Sequence, residues 1–160
     1  MVGWWRRSVA LARLQTAGAS QFGVQMKTSG CVAFGGLPDR ACAPGDNCTA
    51  ATKNQLRVSG YSSAARDAPQ RVKERVYAAY GITSQQPGQV EVVQLVNLCI
   101  GGSNDISNLW PEAASPKPGF YEQDQVEVYF QGQVCSGKID LRTAQIQIAP
   151  NWLEIYNQIT

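Results

Sequence analysis

The stretch Val90 to Glu112, VEVVQLVNLCIGGSNDISNLWPE, decides the fold of this 160-residue chain. It opens on a β-rich apolar run, Val90 to Leu98, interrupted by Glu91, Gln94 and Asn97. Gly101-Gly102 breaks the run, a polar loop carries Asn104 and Asp105, and Asn108-Leu109-Trp110-Pro111 returns. Strand, glycine turn and short return strand predict a β-hairpin with a wide loop.

Downstream, Ala113 to Gly119 reads as a flexible link containing Pro116 and Pro118. Tyr121 to Cys135 then sets Val126, Tyr129, Phe130 and Val134 at helical spacing, although Gly132 costs about 1 kcal/mol against alanine in a helix interior. Asp140 suits the cap of a last helical pair: Leu141, Ala144 and Ile148 form one face, and Pro150 starts a segment with Trp152, Ile155 and Tyr156.

Upstream, Pro69 to Tyr80 reads as a helix with Gly81 at its C-terminal end. Val72, Val76, Ala79 and Tyr80 give it one apolar stripe, and Arg71, Lys73, Glu74 and Arg75 fill a solvated face. Leu37 to Ser63 is punctuated by Pro38, Pro44, Gly45, Asn47 and Gly60 and reads as loop. Residues 1–36 read as an N-terminal extension, partner-binding or loosely ordered, with a short helix over Val9 to Leu14. Trp4 and Trp5, followed by Arg6 and Arg7, suit docking of residues 1–30 onto a partner chain or onto the domain's own surface. On the first alternative, deleting residues 1–30 leaves thermal unfolding intact and abolishes a defined complex.

Composition bounds the chemistry. Hydrophobic residues at 44% and charged residues at 16% describe a globular chain long enough for one core. A net charge of +2 does not by itself point to nucleic acid, although Arg6, Arg7, Arg13 and Lys27 precede the first acid, Asp39. Histidine is absent, which removes the usual general base and the commonest metal ligand. The five cysteines (Cys31, Cys42, Cys48, Cys99, Cys135) form no CxxC pair, so a zinc ribbon has little support. Cys42 and Cys48 share a Pro/Gly-rich loop and suit a bridge in an oxidising compartment, whereas Cys99 reads as a buried, inert thiol. No apolar run reaches the roughly 20 residues of a membrane span. The start lacks a secretory h-region and is similar to a basic, organelle-type leader.

Several spaced motifs stand in one order: Leu37-Pro38-Asp39, Cys42-Ala43-Pro44-Gly45, Gly60-Tyr61-Ser62, the hairpin stretch itself, Val134-Cys135-Ser136-Gly137, and Asn151-Trp152 with Tyr156. Together they resemble the HNH endonuclease-like family, the ββα-metal nucleases, over residues 37–160. The resemblance implies an α+β fold: a ββα-metal-like hairpin-plus-helix core with additional flanking helices. It also places Arg57 where the family carries a second cysteine, so that Cys48 is either a relocated partner of Cys42 or a coincidence. Basic residues of the Pro69–Tyr80 helix would, in such a relative, touch phosphates.

What the family needs at its site is specific. A histidine at the end of the first strand takes a proton from water, an acid beside it holds a divalent cation, an asparagine on the second strand orients the base, and a helix histidine completes the metal shell. Carried over, the acid becomes Val93, the base Gln94 and the helix ligand Gln131; only Asn108 is retained. Valine offers no donor atom and glutamine does not titrate; loss of the base alone removes about 10²–10⁴ in rate. The resemblance therefore implies a degenerate member, a pseudoenzyme without a cofactor that binds protein or nucleic acid as a binding or assembly module. The alternative is a metal-dependent nucleic-acid phosphodiesterase with a rearranged carboxylate site, built on Glu91 and Asp105 with Glu112 and Glu127 nearby, and holding a divalent metal ion.

Overall fold

The computed structural model describes residues 22–58 and 68–160. Residues 1–21, with Trp4, Trp5 and the Val9 to Leu14 segment, lie outside the described residues, as does Gly60-Tyr61-Ser62. The fold is α+β: a two-stranded antiparallel hairpin and, among the described residues, five α-helices. None of those helices is long and apolar enough to cross a membrane.

Strand β1 (Val90–Gln94) pairs with β2 (Leu109–Ala113), with Gln94 opposite Leu109, Val93 opposite Trp110 and Glu91 opposite Glu112. Directly opposed residues share a face, so Glu91, Val93, Trp110 and Glu112 point one way and Val92, Gln94, Leu109 and Pro111 the other. Strand β1 is shorter than its apolar run. Beyond Gln94 the chain leaves the ladder, buries Leu95 and Val96 completely, and coils into a 3₁₀ turn at Leu98–Ile100.

Helix α1 (Lys53–Leu56) is a single turn that the loop-rich reading of Leu37 to Ser63 missed; Thr52 caps it and Gln55 reaches back to the Thr52 N–H at 2.9 Å. Helix α2 (Gln70–Ala79) follows Pro69, and its apolar stripe covers the Val92/Leu109 face of the hairpin, Val76 and Leu109 being buried there with Val72, Tyr80 and Ile106 around them. Helix α3 (Phe120–Cys135) buries Val126, Phe130 and Val134 against α4 (Leu141–Ile148) and α5 (Trp152–Ile159). Asp140 caps α4 through the Thr143 N–H at 2.9 Å. Trp152, wholly buried, donates its indole N–H to the Gly36 carbonyl at 2.9 Å and so ties the last helix to the start of the described chain.

Two expectations need correction. The first is the N-terminal extension. Phe22 is buried in the principal core with Val96, Ile100 and the α3–α5 residues. Met26 and Lys27 donate to the Ala41 carbonyl at 2.8 and 3.0 Å, and Phe34 pairs with Leu37. Residues 22–36 thus belong to the domain, because an aromatic ring and several backbone donors find their partners in it. The second is the disulfide. Cys42 bridges Cys31, not Cys48. The Cys31 N–H donates to Ala79 at 2.9 Å, which brings that thiol beside Cys42, while the Cys48 N–H is drawn to the Gly101 carbonyl at 2.9 Å. Cys99 is only half-buried.

Phe22→Ala is expected to lower unfolding stability in urea by about 3 kcal/mol, the range for an aromatic removed from a packed core. Deleting residues 1–30 should lower the unfolding midpoint for the same reason, and a change below about 1 kcal/mol in the point variant would place Phe22 outside the core.

Candidate functional site

Helix α3 lies against the Leu98–Ile100 turn but diverges from β1, and the gap is a groove of about 590 Å³. Its hairpin wall carries Glu91, Val93 and Gln94, and its helix wall carries Asp124, Glu127 and Gln131. Three of the four positions singled out by sequence, Val93, Gln94 and Gln131, therefore meet in one place. So does Glu91. Lys73 of α2 and Cys99 of the 3₁₀ turn close the ends.

The remaining two do not join them. Asp105 is exposed and accepts from the Ser107 N–H at 2.9 Å, capping the short turn before β2; its carboxylate lies outside the groove. As a member of a carboxylate metal site it is excluded by its place at the loop tip. Asn108 is fully buried and spends its amide entirely on backbone. Its Oδ1 accepts from the N–H groups of Val96 (2.9 Å) and Asp46 (3.2 Å), and its Nδ2 donates to the carbonyls of Val96 (2.9 Å) and Ser103 (2.8 Å). Two donors and two acceptor sites are all that a primary amide has. Nothing remains with which to orient a base at position 94.

Gln94 is fixed from both ends. Its Nε2 donates to Asn104 Oδ1 at 2.9 Å, and its carbonyl accepts from Gln123 Nε2 at 3.1 Å. On the helix wall, Glu127 accepts from Asn97 Nδ2 at 2.7 Å. Asp124 is the groove residue that sequence reasoning overlooked. A signal was present: Asp124, Glu127, Val128 and Gln131 fall at i, i+3, i+4 and i+7, a stripe that runs along one side of the helix. Among the described residues, no three carboxylate or thiol side chains converge closely enough to hold a metal ion.

A second group was noticed only as a nearby acid. Glu112 on β2 is 1% exposed, and neither carboxyl oxygen has a hydrogen-bond partner. Burial pushes its pKa up to about 9, and the charges of Glu127, Asp124 and Glu122 push the same way. Two residues before it, the indole N–H of Trp110 is likewise buried without an acceptor.

No family model matches this chain, and neither a curated protein nor a solved structure matches it.

Two outcomes follow. Asn108→Ala should cost on the order of 3 kcal/mol or more, since it strands buried donors and acceptors at Val96, Ser103 and Asp46 at once; urea unfolding reads this, and an unchanged midpoint would show that the loop closes without the amide. Glu112 gives a pH signature. Its folded pKa lies above the ordinary 4.5, so between pH 4.5 and about 9 the folded state holds a proton that the unfolded state has released. Stability from this group is full below the lower value and falls as pH rises, by up to about 1.4 kcal/mol per pH unit. Glu112→Gln should remove that slope and raise the melting temperature more at pH 8 than at pH 5. A uniform effect at both values would mean that Glu112 is ionised in the folded protein.

Proposed function

We propose that this chain is a catalytically silent, HNH nuclease-like scaffold that acts as a binding or assembly module through the groove between β1 and α3. The observation that supports this reading most is the set of groups meeting there. The three positions mapped to the reactive residues carry a methyl-bearing side chain and two amides, Gln94 and Gln131, and the asparagine meant to orient a base is consumed in holding the loop. Amides donate and accept hydrogen bonds but transfer no proton near neutral pH. The rest of the wall is acidic, with Glu91, Asp124 and Glu127 facing one lysine, Lys73. Such a field repels a phosphate backbone and suits a basic segment of a protein partner.

A second reading has its own observation: Glu91, Asp124 and Glu127 line the same groove, and oxygen ligands are what a hard divalent cation takes. A metal-dependent phosphodiesterase would use this cluster in place of the Glu91 and Asp105 pair.

Isotope-labelled protein titrated with a lysine-rich peptide should show shifts of the Gln94 and Gln131 side-chain amides, weakened by salt and by Glu91→Gln with Glu127→Gln. Duplex DNA with Mg²⁺, Mn²⁺ or Zn²⁺ should give neither those shifts nor cleavage. Cleavage that vanishes with chelator and with Glu91→Ala would replace the first reading by the second. The combined variant Val93→Asp, Gln94→His and Gln131→His should gain Zn²⁺ binding by calorimetry. No gain would remove the correspondence between these positions and a ββα-metal site.

A further inference from the structure

On the far side of β2 from the hairpin loop, a cavity of about 390 Å³ opens between the strand, residues 33–36 and residues 115–118. It has no residue in common with the groove. Trp110, Pro116, Pro118, Gly35 and Gly36 line it, and Glu112 stands in its wall. Glu112 is 1% exposed with two unpartnered oxygens, and Trp110, also 1% exposed, brings an unpartnered indole N–H. Two acceptors and a donor, all buried at the same cavity and all unused within the protein, describe a polar site that awaits a ligand.

We infer that this cavity binds a guanidinium group, with Glu112 receiving its two parallel N–H donors and the Trp110 indole N–H bonding an acceptor elsewhere on the same ligand. The choice of ion rests on three features. A carboxylate with both oxygens free matches the planar fork of a guanidinium, which engages two oxygens at once. The apolar walls of Trp110, Pro116 and Pro118 suit its weakly hydrated flat faces better than a compact, strongly hydrated ammonium. The surrounding charge is negative: Glu122, Asp124 and Glu127 on α3 act on Glu112, Glu91 stands opposite it on β1, and Lys117 is engaged by Glu122 at 3.1 Å. An anionic ligand would meet that field unfavourably. The guanidinium belongs either to a free small molecule or to an arginine in a peptide, and the inference does not depend on the groove being a binding site.

The test is nitrogen-15 NMR of the full chain, following the tryptophan indole N–H signals. Methylguanidinium, agmatine and an N-acetyl, amidated arginine tripeptide are titrated in turn, with methylammonium as the control. The Trp110 signal, assigned through bonds, should shift saturably with the guanidinium compounds and markedly less with methylammonium. Glu112→Gln, which keeps shape and is expected to fold at least as well, should weaken the affinity about ten-fold or more. Tighter binding of agmatine assigns the site to a free ligand, and tighter binding of the tripeptide assigns it to a protein arginine. An indole signal that does not move, that moves equally with methylammonium, or that moves as much in Glu112→Gln overturns the proposal and leaves the cavity to water.

Discussion

The amide of Asn108 is the constraint on which the hairpin depends. Leu95 to Asn108 is too wide a loop to be closed by turn geometry alone, and its backbone polar groups are buried where water cannot serve them. Asn108 solves this by acting as an extra rung. The Leu95 N–H bonds to its carbonyl at 2.8 Å, and its side chain then bonds both the N–H and the carbonyl of Val96. The pairing of β1 and β2 is thereby carried one step past the ladder. The same amide takes in Asp46 and Ser103, so the segment after the disulfide is bound to the loop by one side chain. Gly102 follows from that closure: a Cβ there would lie 1.6 Å from the Val96 carbonyl oxygen, so no other residue fits.

Much of the fold was legible because it is written in short-range pattern. Val72, Val76 and Ala79 announce a helix by their spacing alone, and so do Val126, Phe130 and Val134; the cap at Asp140 needs only the residue three positions on. What was not legible is what depends on meetings between distant residues. Phe22 carries no periodic neighbours, so nothing local says that its ring reaches Ile148 and Trp152. Cys48 is nearer to Cys42 in sequence than Cys31 is, yet the pairing is set by which backbone each cysteine is bonded to: Ala79 for Cys31 and Gly101 for Cys48. Sequence alone located Val93, Gln94 and Gln131 well enough to find the groove. It misread Asp105 because a loop-tip acid and a site acid look alike until the turn is built.

Asn108 also shows why a scaffold outlasts its chemistry. A residue that orients a catalytic base can be lost once the base is gone, whereas one whose four hydrogen bonds close a buried loop cannot. Its presence beside an altered Val93, Gln94 and Gln131 is accounted for by structure alone, and so is no sign of activity. Gln94 is the complementary case: its new amide is not idle but bonds Asn104 across the loop, so the position has been absorbed into the wall of the groove.

Glu112 runs against that logic, and this is what makes it informative. Its cross-strand partner is another acid, Glu91, and α3 adds Glu122, Asp124 and Glu127 to its surroundings. Burial here would be served better by an apolar side chain of similar volume, since a buried carboxyl without donors costs stability whichever protonation state it adopts. No element of the fold needs it: the ladder is made by β2 backbone, and Trp110 and Leu109 supply the packing on the two faces. A costly group with no intramolecular partner, set beside an indole N–H with none, is better explained by something outside the chain than by the requirements of folding.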